Sequence, residues 1–138
     1  MSILKAAILA AVAAGTRVEI TNDEYLALAQ IVECEAGADT FDGKAAIATG
    51  IWDYASANDI SVTEAMSALQ CYTYTREITE ESFIAVGAVF FDGYRPTEEP
   101  IIWWLPPWYA EEHPESFQEA CTTCIGQIGA HRFYKPRD

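Results

Sequence analysis

The chain has 138 residues, 51% of them hydrophobic and 21% charged, which is the composition of one globular domain with a real core rather than of a disordered segment. Its formal net charge is -13, from 21 acidic and 8 basic residues. An acidic surface of that size argues against nucleic-acid backbone and anionic membrane as partners, and the basic residues are dispersed apart from Arg132, Lys135 and Arg137 near the C-terminus.

Residues 1–20 begin MSILKAAILAAVAAG, one lysine followed by an apolar, alanine-rich run that ends in small residues. The pattern is that of a weak secretory signal, and it is too short and too rich in alanine for a transmembrane span. We expect a retained helix packed on the domain or on a neighbour, with a signal-arrest-like anchor as the alternative. A boundary near Gly15 to Thr21 separates this segment from a compact domain over residues 21–138.

The domain opens with a capping box, Thr21 followed three residues later by Glu24. Tyr25, Leu28, Ala29, Val32 and Ala36 recur at helical spacing and predict a buried face, with Glu35 on one shoulder beside Leu28 and Ile31 and Glu33 on the other. Gly37 is the predicted left-handed end of this helix, and Asp39, Thr40, Asp42 and Gly43 the turn that follows. A second helix is expected with Asp42 as N-cap and Ile47, Ile51 and Tyr54 on one face. A carboxyl group held half-buried against apolar side chains favours its protonated form, which is what a general acid needs. Glu35 is therefore the candidate catalytic residue. A glutamate in such a place is also commonly solvated or paired with a lysine.

Ser61 and Glu64 repeat the capping-box spacing and start a short helix through Ala65, Met66 and Leu69. Gln70 to Arg76, QCYTYTR, reads as an extended loop or short strand. Thr79, Glu80 and Glu81 open a further helix with Phe83, Val86, Gly87 and Phe90 inside and Gly93 as its stop. In YRPTEEPIIWWLPPWY, Tyr94 to Tyr109, prolines 96, 100, 106 and 107 argue against helix, and IIWWL reads as a short strand. Strand alternation sends one of Trp103 and Trp104 inward, while Trp108 and Tyr109 are expected to be exposed. Exposed aromatics can bury the C–H face of a sugar ring. Pro114 to Ala120 is expected to be helical with Pro114 in its first turn, and Cys124 to Pro136 to be a strand or extended pairing. His131 there is either a hydrogen-bonded structural residue or a site residue.

Of the four cysteines, only Cys121 and Cys124 are close in sequence, which is a weak zinc signal, and they follow a helical, acidic run unlike a redox CxxC. Packed thiols or one or two disulfides are expected, with no metal and no cofactor.

Taken together, Leu28-Ala29 through Glu35-Ala36 with Asp39, Gly43 with Ala45-Ala46-Ile47-Ala48, and Ile128-Gly129-Ala130-His131-Arg132-Phe133-Tyr134 resemble the cell wall hydrolase family named after the spore cortex-lytic enzyme SleB. The matches run from about Tyr25 to Tyr134. Where the family has Asn-Arg at the end of the second helix this chain has Asp53-Tyr54, and the family's Gln-Phe-Ser is echoed only by Gln70-Cys71-Tyr72. The resemblance implies a mainly α fold with a small β element (α+β), a lysozyme-like single domain. It also implies lytic transglycosylase activity on peptidoglycan, with Glu35 as acid and then base. Asp39, Tyr72, Tyr74, Trp108, His131 and Tyr134 become the candidate substrate-binding residues, although Asp39 is expected chiefly to shape the turn. Peptidoglycan glycan strands are the implied partner, an extracytoplasmic, cell-wall-directed or virion-associated location follows, and residues 1–20 are the candidate contact to a virion or membrane-proximal partner.

Two rival functions remain open on the sequence. One is a non-catalytic glycan-binding or virion structural component that keeps the fold. The other is a metal-dependent hydrolase using His113, His131 and the cysteines, for which the ligand spacing is wrong.

Overall fold

The computed structural model describes residues 19–71, 73 and 77–137. The expected helix over residues 1–20 therefore lies, apart from Glu19 and Ile20, outside the described residues, as do Tyr72 and Tyr74.

Helix α1 (Asn22–Ala36) starts at the predicted capping box: the Glu24 N–H donates to Thr21 Oγ1 at 3.1 Å and the Thr21 N–H to Glu24 Oε1 at 3.0 Å. Leu28, Ala29, Val32 and Ala36 are buried as the periodicity requires. Tyr25 is half-buried, its ring stacked on Phe83 and Phe91 and its hydroxyl donating to the Phe83 carbonyl at 2.7 Å. Glu33, expected on the shoulder of the buried face opposite Glu35, is wholly enclosed. Gly37 does not take the left-handed conformation predicted for it (φ -58°, ψ -33°); the chain leaves α1 through a turn closed by the Asp39 N–H on the Ala36 carbonyl at 3.0 Å.

Helix α2 (Phe41–Asn58) is capped by Thr40, whose hydroxyl accepts from the Gly43 N–H at 3.1 Å, and not by Asp42. Asp42 is engaged elsewhere, accepting from the Tyr94 hydroxyl. From Gly43 to Asp53 every residue of α2 is buried, so this helix is the hub, packed by α1, by α3 (Val62–Ala68) and by α4 (Glu80–Asp92). Ser61 and Glu64 cap α3 reciprocally as predicted. The buried face of α4 is Ser82, Ala85, Val86, Val89 and Phe90, rotated from the expected one; Phe83 lies at the flank against the Tyr25 ring. Gly93 ends α4 with φ 72°.

The remainder forms a three-stranded antiparallel sheet with order β1-β3-β2, where β1 is Trp103–Leu105, β2 Thr123–Ile128 and β3 His131–Lys135. Between β1 and β2 lie two short helices, α5 (Pro107–Glu112) and α6 (Phe117–Cys121). Both correct the sequence reading. Pro107 occupies the first turn of α5, where a missing N–H costs nothing, so the prolines start a helix instead of forbidding one. Ser116, not Pro114, begins α6, its hydroxyl accepting from the Glu119 N–H.

Two polar anchors fix the sheet to the helices. Asp53, fully buried in α2, accepts both terminal nitrogens of Arg95 at 2.7 Å and the Ile101 N–H at 2.8 Å, which sets the chain just ahead of β1. The carboxylate of Asp39 accepts the Thr40 N–H at 2.7 Å and, from the tip of the β2–β3 hairpin, the Ala130 N–H at 3.0 Å. The core joins Leu28, Val32, Ile47, Ile51, Phe90 and Phe133. Among the described residues the architecture is thus six helices and a small antiparallel sheet, the mainly helical α+β class expected.

Candidate functional site

Glu35 is the penultimate residue of α1, just ahead of the α1–α2 turn, and its side chain is 21% exposed. Its Oε2 lies 3.4 Å from the indole Nε1 of Trp104 on β1 and 3.9 Å from Nε2 of His131 on β3. Three elements distant in sequence therefore meet at one carboxylate oxygen. The close seat of Trp104 depends on Gly50 of α2, where a Cβ would stand 2.8 Å from the indole ring. His131 reaches Glu35 because the hairpin turns at Gly129, with φ 60°, directly over Asp39.

A cleft of about 240 Å³ opens beside Glu35, lined by the β1 segment Trp103, Trp104, Leu105 and Pro106, by Leu69, Gln70 and Cys71, and by Gln118. Trp104 leans on the core while Trp103 meets the exposed ring of Phe117 edge-on at 5.2 Å, so the strand alternation predicted for the tryptophan pair holds. Burial pushes the Cys71 thiol up to about 12, and the neighbouring Glu35 charge pushes the same way, so this cysteine is a neutral wall group and not a nucleophile. Burial also moves His131 below the usual imidazole range, against the opposing pull of the Glu35 and Asp39 charges, and its Nδ1 has no hydrogen-bond partner among the described residues.

The structure brings Glu35 and His131 together and places Asp39 at the turn beneath them. Of the other expected contacts, Tyr72 and Tyr74 lie outside the described residues, and Trp108 and Tyr134 stand apart from Glu35. Trp108 is 60% exposed on α5, with its ring edge-on to Tyr109, and is not part of the cleft wall. Tyr109, expected to be exposed, is half-buried against His113. Tyr134 is wholly enclosed, with its phenol pushed up to about 12 by burial, and belongs to the interior. Sequence reasoning missed Trp103, Trp104 and Cys71 as cleft residues. The tryptophan pair carried a usable signal, since two adjacent large rings on a short strand cannot both turn into the core; nothing local marked Cys71.

Cys121 and Cys124 are exposed, free thiols, neither packed nor joined to each other. Among the described residues no group of three or more histidine, cysteine or acidic side chains is placed to hold a metal, and His113 pairs with Glu115 at 3.0 Å. No helix among them is long and apolar enough to cross a membrane. In comparisons with known proteins the chain matches no family model, no curated protein and no solved structure.

What the arrangement can do follows from its charge inventory. Glu35 is the single carboxylate on the cleft wall among the described residues. The two acids nearest Glu35 in sequence are both committed to the fold: Glu33 accepts from Thr79 and Ser82, and Asp39 has both oxygens occupied by backbone N–H groups of the turn and hairpin. A half-buried acid beside two tryptophans, with one oxygen unpartnered among the described residues, can pass a proton to a bound oxygen and take one back.

Proposed function

We propose that this protein is a lysozyme-like, peptidoglycan-cleaving lytic transglycosylase that cuts between N-acetylmuramic acid and N-acetylglucosamine. The observation that carries the reading is Glu35 as the single carboxylate at the aromatic cleft among the described residues, with the Asp39 carboxylate committed to the fold. Glycosidases that use water or a covalent intermediate need a second carboxylate facing the first across the scissile bond. A transglycosylase does not, because the muramic acid supplies its own nucleophile.

The steps balance with one residue. The protonated Glu35 gives its proton to the glycosidic oxygen as the bond from that oxygen to C1 breaks, and charge develops at the ring. The C6 hydroxyl of the same muramic acid then attacks C1, and its proton passes to the Glu35 carboxylate. The product is a 1,6-anhydro sugar, no water is consumed, and Glu35 ends protonated as it began. Trp103 and Trp104 offer flat apolar surface to the C–H faces of the sugars, and Gln70 and Gln118 offer amides to their hydroxyls. The substrate places the protein's work outside the cytoplasm, at the cell wall or in a virion that must breach it.

Product analysis tests this reading. Mass spectrometry of sugars released from purified glycan strands is expected to show muramic acid ends one water lighter than ordinary reducing ends. Hydrated ends would replace the transglycosylase with a water-using muramidase.

A further inference from the structure

We propose that Glu35 is held by one oxygen only: Oε2 is clamped between the indole N–H of Trp104 and the imidazole N–H of a neutral His131, which leaves Oε1 as the oxygen that exchanges the proton. The inference rests on the function proposed above, and it assigns His131 as a positioning residue for Glu35 and not as a sugar contact.

The geometry gives the first half. Both ring nitrogens approach the same oxygen, Trp104 Nε1 at 3.4 Å and His131 Nε2 at 3.9 Å, from two adjacent strands. These distances are long for hydrogen bonds, as is common at a catalytic carboxylate before substrate closes the site. The approach is built into the fold, since Asp39 binds the Ala130 N–H and so fixes the backbone of the residue just before His131.

The surroundings of the ring give the second half. The charged and titratable groups facing it are Glu35 from α1 and Asp39 from the turn, with Cys71 across the cleft beside Glu35. The His131 side chain is 7% exposed and its Nδ1 has no partner among the described residues. A proton on Nδ1 would be a buried donor with no acceptor among the described residues, which disfavours both the cation and the Nδ1–H tautomer. The remaining form is neutral with its proton on Nε2, directed at Glu35. A neutral donor suits the reaction. A lysine or arginine in the same place would hold Glu35 permanently ionised, whereas a neutral N–H steadies the carboxylate and still lets it take up a proton.

The test needs no substrate. The imidazole nitrogen resonances of the wild-type protein at neutral pH, with only His113 and His131 to assign, are expected to show His131 neutral and protonated at Nε2. A cationic His131, or the Nδ1–H tautomer, would overturn the clamp. In a second measurement, the Trp104 indole N–H resonance is followed against pH; it should report a titration that vanishes in Glu35→Gln. In His131→Phe the midpoint of that titration should rise, because the ionised form has lost a donor, and in His131→Gln, which keeps an N–H, it should return toward wild type. An unmoved midpoint in His131→Phe would also overturn the proposal. Both readouts are independent of turnover. Confirmed tautomer and midpoints in a protein that releases no anhydro sugar would support the clamp and refute the activity. Anhydro products with an unmoved midpoint would do the reverse.

Discussion

Asp39 and Ala130 stand 91 positions apart in the chain and are joined by a 3.0 Å hydrogen bond from the Ala130 N–H to Asp39 Oδ2. This bond closes the molecule around its candidate site, because Asp39 follows the helix that ends in Glu35 and Ala130 precedes His131. In Asp39→Ala the Thr40 and Ala130 N–H groups both lose their acceptor, a cost of about 1–3 kcal/mol in urea unfolding. Gly129→Ala should also destabilise, by about 1–3 kcal/mol, because its φ is 60° and a Cβ would stand 2.2 Å from Asp39 Oδ1. Both variants should lose activity beyond their loss of folded protein, since each frees the segment that carries His131.

Two glutamates two positions apart on α1 should behave oppositely. Glu33 Oε1 accepts the Thr79 N–H at 2.8 Å, the Thr79 hydroxyl at 2.6 Å and the Ser82 hydroxyl at 2.8 Å, and so anchors the start of α4. Glu33→Ala is expected to cost at least about 3 kcal/mol, roughly one for each donor left behind. Glu35→Ala should change stability by less than about 1 kcal/mol, as expected of a half-exposed side chain with loose contacts. Paired thermal melts check this; a larger loss at Glu35 than at Glu33 would contradict the roles assigned.

That contrast marks where the sequence stops being readable. The caps at Thr21 and Ser61, the stop at Gly93 and the inward face of α1 are local effects, encoded within a few residues of where they act. Helical periodicity placed Glu33 and Glu35 on opposite shoulders of α1, but the burial of Glu33 depends on where α4 packs, a contact between residues 46 and 49 positions apart. The same limit hid Trp104, whose distance to Glu35 in sequence is 69 positions and whose seat depends on Gly50. Asp42 failed as the predicted cap because Tyr94, from beyond α4, engages its carboxylate. The prolines misled for a different reason: adjacent Pro106 and Pro107 read as breakers, yet a proline at the first turn of a helix is harmless.

The buried Asp53–Arg95 pair gives a third prediction. Removing the guanidinium in Arg95→Met leaves a fully buried carboxylate that keeps, among the described residues, the Ile101 N–H alone as donor, and should cost about 3–5 kcal/mol. Asp53→Asn in the same background removes the stranded charge and should restore part of that stability. A double-mutant cycle in urea measures the coupling, and additive single losses would show that the pair does not act as a unit.

His131 yields a pH dependence whose sign is fixed by its burial. Its pKa in the folded protein lies below the ordinary imidazole value of about 6.5, so as pH falls the unfolded chain takes up the proton first. The contribution is therefore fully present above that ordinary value and is lost as pH falls toward the depressed folded value. The stability of wild type minus that of His131→Gln should decline through this window by at most about 1.4 kcal/mol per pH unit. A difference that grows on acidification would mean that the histidine is charged in the fold.

The role of Glu35 as acid and then base is tested by digestion of purified peptidoglycan by wild type and by Glu35→Gln, with released sugars analysed by mass spectrometry. Glutamine keeps the shape of the side chain and removes the proton that must be given and retaken. 1,6-Anhydromuropeptides are expected from wild type and none from the variant. Equal release by both proteins, or release by neither while glycan is still bound, would contradict it, the latter leaving a binding or assembly role in its place.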